Sequence, residues 1–364
     1  MGLKVSLYKI KLVSPTVVSK GRTDRGFETE TQIIPGQTIG GAVNRVLGYG
    51  FTASRLPKIV SSPAFLAHEG ERMLPAYPFL YACRECGKFI KPEKEKLASL
   101  ANSSIGQIAE KFIVSRCERG HLLRPMHPKL VSKKFDPGYT TESKTVSLVS
   151  VGMNRYTASS HTGLLFEYTA LEPGVEFGVT LASVDGKDLP DRIDRLLIGR
   201  GTSRGFGRAE CTKQCEIDCE QEMAKIWGKE LPNRMVFYLI SPMPLKALTE
   251  RLDLKKTGSL FGVTELDGVL KVVADTDPMA YGRSIWLNTG WNVDVAGVGG
   301  RRSLVKCLAY GGLVVAEWLQ KPSNPSLALS FIKYCGIPVI IDNAPFVGLC
   351  MMSTFIDDPL LEVC

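Results

Sequence analysis

Two stretches of this chain begin alike, and their likeness limits the fold more than any other feature. KVSLYKIKLVSPTVV from Lys4 and RMVFYLISPMPL from Arg234 are each apolar strands that end in Ser-Pro, at Pro15 and Pro242. Further along each half, LPDRIDRLLIG (Leu189 to Gly199) and NPSLALSFIKYCG (Asn324 to Gly336) carry proline near the start and glycine at the end, the punctuation of a helix. A repeat of this kind predicts two copies of one unit, and 364 residues suit two domains. The boundaries that follow are 1–225 and 226–364. Pro15 to Pro190 spans 175 residues against 83 from Pro242 to Pro325, so the first copy carries an insertion of about ninety, placed around 70–145.

Within the first copy, a strand over Leu3–Val13 precedes the turn IIPGQT and a helix over Thr38–Leu47, with Thr38 as its cap. After the insertion, GLLFEYTAL and GVEFGVTLA alternate in hydropathy about Pro173 and Gly174, which reads as a hairpin. A helix over Pro190–Ile198 and a strand from Phe206 to about Ile217 complete the order β-α-β-β-α-β. That order is the ferredoxin-like, or RRM-like, one. The expected class is α+β, with two tandem ferredoxin-like domains and a metal-binding insertion in the first.

Between the last helix and strand of that unit lies GRGTSRGFGR, Gly199 to Arg208, with four glycines, three arginines and no acidic residue. Glycine lets backbone approach a partner at angles other residues avoid, and arginine supplies forked donors for phosphate. The segment reads as an anion-binding loop. It lacks the Gly-Lys-Ser/Thr ending of a phosphate-binding P-loop and the GxGxxG spacing of a dinucleotide site, so a dedicated nucleotide enzyme is disfavoured. A solvated surface loop is the plain alternative.

The formal charge of +8 suits an RNA partner, and its distribution is uneven. Between Arg84 and Asp136 twelve Lys/Arg face six Asp/Glu, which makes the insertion a basic lobe. No run of ~18 apolar residues spans a bilayer, and the N-terminus alternates like a strand, so a cytoplasmic protein without a membrane partner is expected. Ten cysteines in that compartment read as mostly reduced, as metal ligands or core residues. Cys211, Cys215 and Cys219 share one face of the last strand and read as a buried strand face. Cys83 and Cys86 form CxxC, and Cys117 and His121 form Cx3H thirty residues on, with Gly87 and Gly120 beside them. Two such knuckles match a tetrahedral zinc site with four protein ligands and no open position, hence structural, in a lobe with little apolar core of its own.

These residues bring a family into view. IIPGQTIGGAVNRVLG and LLIGRGTSRGFGRAEC resemble the strand-to-helix segment and the signature Gly-rich loop of the RAMP superfamily of CRISPR-associated proteins, and LLFEYTALEPGVEFGVTLA looks like the hairpin between them. The stretch from Gly290, GWNVDVAGVGGRRSLVKCLAYGGLVVAEW, is similar to a segment of the large two-domain subunit of type III-D effector complexes. The resemblance implies a subunit that caps the complex and grips the repeat-derived 5′ tag of the CRISPR RNA, with other effector subunits as neighbours and target RNA met indirectly. It implies RNA contacts at Gly36 and Thr38 and along Arg200, Gly201, Arg204, Gly205, Phe206, Gly207 and Arg208. Gly40 stands where the family usually has arginine, and GIPVIIDNAPFVGLC stands where a second Gly-rich loop would fall, so the second domain reads as degenerate. Phe206, Trp291 and Tyr156 are candidate stacking platforms, and Arg301 with Arg302 a second short basic loop.

Two other readings stay open. A RAMP endoribonuclease would need a histidine near the loop; of His68, His121, His127 and His161 only His161 is suitably placed, with Asp24 as an acidic candidate. The other is an unrelated zinc-ribbon module that binds nucleic acid or protein. The expectation is a non-catalytic RNA-binding subunit.

Overall fold

The computed structural model describes residues 2–22, 26–49, 56–93, 96–97, 99–103, 107, 111–132, 143–153, 156, 159–219, 222, 231–273, 280–288, 291–292, 300–301, 303–342 and 344–354. Lys4–Leu12 is the centre of the first sheet. Its alternation sends Tyr8, Ile10 and Leu12 into one apolar cluster and Val5 into a second, so both faces of the strand are buried. Arg208–Ile217 pairs antiparallel on one side of it and Glu176–Ser183 on the other. Ile59–Ser61 and Ala64–His68 pair antiparallel with Glu176–Ser183. In chain order the four central positions therefore run fourth, first, third, second.

The second half repeats this order. Met352–Thr354, Arg234–Leu239, Leu313–Gln320 and Val269–Val272 lie side by side, all antiparallel. Helix Leu254–Phe261 lies in the chain between Arg234–Leu239 and Val269–Val272, and helix Pro325–Tyr334 between Leu313–Gln320 and Met352–Thr354. The latter starts as its sequence dictates: the Asn324 side chain accepts from the Leu327 amide (3.1 Å), with Pro325 in the first turn.

Three expected elements differ. Pro190–Ile198 is not a helix: Arg192–Leu197 is a strand paired with Arg208–Ile217 at the sheet edge. Its register shifts between Ile193 and Leu196, and Arg195 sits at φ +58°. This bulge brings two apolar residues three apart onto one face, a spacing that a helix also produces. The hairpin about Pro173 does not form either. Ser160–Leu171 pairs with Thr145–Met153 in a separate four-stranded sheet, and the Gly174 amide turns instead to the Leu12 carbonyl (2.7 Å). Finally, the first helix spans Gly36–Val46 with Pro35 at its N-cap and no side-chain cap; Thr38 lies inside it, its amide on the Pro35 carbonyl (2.9 Å).

Each sheet has one face covered by a helix of its own half and the other by material from elsewhere. Ile39 and Val43 of the Gly36–Val46 helix pack on the Tyr8 side of the first sheet. The Val5 side packs, with Ala182 and Val184, into the cluster that holds Phe331 and Ile332 of the second half's helix. Conversely, Val236, Tyr238, Leu313 and Val315 of the second sheet are buried with Tyr77, Leu80, Leu100, Phe112 and Met126 of the insertion. The apolar residues of this stretch are thus buried in a core shared with both sheets. Tyr238 OH donates to the Pro75 carbonyl (2.7 Å), and His127 bridges the same junction.

Cys211, Cys219, Cys307, Cys335 and Cys350 are buried free thiols, as expected of core cysteines. Cys215 departs from that expectation and is disulfide-bonded. Glu222 is buried against Lys333 and Tyr334 of the Pro325–Tyr334 helix, accepting from both. Among the described residues no helix is long and apolar enough to cross a membrane.

Candidate functional site

All four glycines of the Gly/Arg loop adopt left-handed backbone, at φ +79° (Gly199), +72° (Gly201), +90° (Gly205) and +75° (Gly207). The turns fold the segment back on itself. A Cβ at Gly207 would stand 2.0 Å from the Ile198 carbonyl oxygen, and one at Gly199 would stand 2.2 Å from that of Val17. The loop is pinned to the chain just past the central strand: Arg200 N–H donates to Val17 O (3.0 Å), Gly207 N–H to Pro15 O (2.9 Å) and Arg208 N–H to Ser14 Oγ (2.9 Å). The Arg204, Gly205 and Phe206 amides are also bonded within the loop. These amides are therefore engaged within the chain. The donors that face outward are side chains: Arg204 and Arg208 are exposed and Arg200 is half-buried.

Beside the loop is a hollow of about 280 Å³ lined by Val17 and Tyr168 and, from the loop itself, by Arg200, Gly201, Ser203, Arg204 and Phe206. Arg204 Nη1 donates to Tyr168 OH (3.3 Å), and the Tyr168 and Phe206 rings lie 6.3 Å apart between centroids. Phe206 packs over Gly201, where a Cβ would meet the ring at 2.5 Å. Sequence reading missed Tyr168, because the paired strand that presents it was assigned to the wrong neighbour.

The other proposed contacts lie elsewhere or are differently employed. Gly36 is buried, and a Cβ there would meet Ser61 O at 2.4 Å, so close packing of helix on strand accounts for that glycine. Thr38 is half-buried on the same helix, which packs beside Arg192–Leu197, the strand that leads into the loop. Trp291 pairs with Arg301 across a short ladder, and Arg302 lies outside the described residues. Tyr156 is fully open to solvent, at 99%. Trp286, also missed, is 66% exposed beside buried Leu287 and pairs with Lys306.

Cys83, Cys86, Cys117 and His121 come together as their spacing predicts. A tetrahedral ion bound by sulfur at ~2.3 Å sets S···S edges near ~3.8 Å. The Cys83–Cys117 and Cys86–Cys117 sulfurs lie 3.8 and 3.9 Å apart, and His121 Nδ1 is 3.7 Å from Cys83 Sγ and 3.0 Å from Cys86 Sγ. These four residues fit a metal ion. Gly87 (φ +68°) and Gly120 (φ +81°) turn the two knuckles, and the Cys86 amide donates to Cys83 Sγ (3.3 Å), which draws that thiol down to about 6. The far nitrogen of His121 lies 3.2 Å from Glu85 Oε2. A carboxylate there fixes the ring and its ligating nitrogen. Glu85 went unnoticed in the sequence, although it lies within the CxxC motif itself.

The remaining histidines are distributed as follows. His127 Nδ1–H donates to Ala76 O (2.8 Å) and Nε2 accepts from the Arg283 amide (3.0 Å); burial, opposed by the Ala76 bond, lowers its pKa. His68 is half-buried on the Ala64–His68 strand, and His161 lies on Ser160–Leu171. Asp24 falls outside the described residues.

No protein-family model and no curated protein matches this chain. Among its structural neighbours are chains of type III-B Cmr-beta and of Cmr4. A chain in the structure of type III-B Cmr-beta bound to cognate target RNA and AMPPnP aligns over 85% of this chain and 86% of its own, at 12% identity and a TM-score of 0.41. Oligomeric Cmr4 from Pyrococcus furiosus aligns over 58% of this chain and 98% of its own, at 13% identity and a TM-score of 0.22. With TM-scores below one half, the functional reading rests on the chain's own residues.

Proposed function

We propose that this chain is a RAMP-type, RNA-binding subunit of a type III CRISPR effector ribonucleoprotein. In this reading it consists of two ferredoxin-like units, 1–225 and 226–364, with a structural zinc site in the insertion of the first. It holds CRISPR RNA by the backbone at the repeat-derived 5′ tag and caps one end of the assembly, acting as a scaffold without cleaving RNA.

The observation that carries the RNA grip is the loop itself. Four left-handed glycines, pinned to the segment after the central strand, hold three arginine side chains at one sheet edge. Arginine forks bind phosphate in two places without reading bases, which suits an RNA backbone. The four-ligand metal cluster supports a structural site, since its donors leave no open position. His127 has both ring nitrogens engaged in the core and His121 is placed for metal, which leaves His161 as the histidine a cleavage assay must address.

The test is RNA affinity against salt concentration. Neutralising a single-strand phosphate contributes about 0.7 to the log–log slope, so Arg204→Ala with Arg208→Ala is expected to flatten it by about 1.4. An unchanged slope refutes the loop reading. Incubation of the purified protein with labelled precursor RNA is expected to leave it intact; cleavage that disappears in His161→Ala would replace the scaffold with the nuclease.

A further inference from the structure

We propose that the hollow beside the Gly/Arg loop seats one unstacked nucleobase of a single-stranded RNA, with Phe206 and Tyr168 as aromatic walls; this rests on the reading of the loop as an RNA grip. Its base is apolar, at buried Val17. Phe206 is fixed against Gly201, whose lack of a side chain admits the ring. The Tyr168 ring lies 6.3 Å from it between centroids, inclined at 51°, and is tied by its hydroxyl to Arg204. Ser203 and Arg204, both exposed, complete the rim.

A ligand for such a space is flat and apolar on its faces and anionic just outside. Inorganic phosphate satisfies only the rim. A free nucleoside triphosphate needs a cradle of amides for its phosphates, and here the Arg200, Arg204, Gly205, Phe206, Gly207 and Arg208 amides are already bonded to the chain. What remains is a base on aromatic rings with its phosphate on arginine side chains, that is, one nucleotide of a strand. At about 280 Å³ the hollow lies just under the ~300 to 1,000 Å³ of pockets that enclose drug-sized ligands, a size for one base with its ribose. Every base has a π-face, so the seat tolerates any of the four.

The test uses the full chain and a fluorescein-labelled single-stranded RNA of about ten nucleotides, together with strands in which one base is removed at each position in turn. One position is expected to weaken binding by about 5- to 150-fold when abasic, with the salt slope unchanged. Phe206→Leu, which keeps an apolar contact with Gly201, is expected to weaken the intact strand by a similar factor and to abolish that penalty. Tyr168→Leu is expected to reduce the penalty as a second variant. Thermal melting of both variants alongside the native protein identifies a loss that comes from unfolding. If no abasic position weakens binding, or if Phe206→Leu weakens intact and abasic strands equally, the seat is refuted while the arginine grip stands. A native chain that binds no RNA overturns both.

Discussion

Replacing Gly207 with alanine, beside the same change at Gly205, isolates what the loop's backbone requires. Both glycines lie in left-handed backbone, at φ +75° and +90°. A side chain in that region costs about 1–2 kcal/mol at either position. The surroundings differ: a Cβ at Gly205 meets nothing within 4 Å, whereas one at Gly207 lies 2.0 Å from Ile198 O. To relieve that clash the two segments must part, at the expense of the Ile198 N–H to Gly207 O bond (2.7 Å) and the Gly207 N–H to Pro15 O bond (2.9 Å). At about 1 kcal/mol each, they bring Gly207→Ala to about 3–4 kcal/mol against about 1–2 for Gly205→Ala. With about 2–4 °C of melting temperature per kcal/mol for a sizeable chain, Gly207→Ala melts about 4–8 °C below Gly205→Ala. Hydrogen exchange should place the added loss in the Ile198 amide and not in Gly205→Ala. Melting temperatures that agree within a degree, or unaltered exchange at Ile198, would show that the close approach does not govern the loop.

The metal cluster is expected to bind one zinc ion per chain, measured by elemental analysis, with Cys117→Ser losing it. Glu85→Gln leaves all four ligands in place and is expected to weaken zinc by about 10- to 100-fold in competition with a chromophoric chelator; equal affinity would show that Glu85 does not support His121. His127 gives the pH dependence. Burial holds it neutral when folded, while the unfolded chain takes a proton near ~6.5, so the unfolded state binds more protons just below that pH. Stability is therefore complete above about 6.5 and falls as pH drops toward the folded pKa. Urea unfolding is expected to show this slope in the native protein and a shallower one in His127→Leu; the same slope in both would assign it to other groups.

Much of the frame was legible because it rests on period and punctuation. Tyr8, Ile10 and Leu12 alternate as a strand must, and Asn324-Pro325 with Gly336 bracket a helix. The Arg192–Leu197 strand was not legible, since a bulge at Arg195 reproduces helical apolar spacing, and only pairing with Arg208–Ile217 decides between the two. The Ser160–Leu171 strand was recognised as a strand but given the wrong partner: two alternating segments joined by Pro-Gly suggest a hairpin, whereas Thr145–Met153 supplies the longer ladder. At the site, glycine and cysteine spacing revealed the loop and the metal ligands. Tyr168 and Glu85 were hidden because each acts through a neighbour, Arg204 in one case and His121 in the other.

The insertion covers a sheet face of the other half, and this changes what kind of part it is. With Tyr77, Leu80 and Phe112 buried against Val236, Tyr238 and Leu313, its removal would bare an apolar surface that, among the described residues, no helix of the second half reaches. Tyr77, Leu80, Leu100, Phe112 and Met126 serve as a wedge against the second sheet, and the Pro75, Ala76 and His127 contacts are its attachment points. The two halves therefore cannot be separated, or exchanged with those of a relative, by cutting at their sequence boundary: any exchange must carry the wedge along with the face it covers.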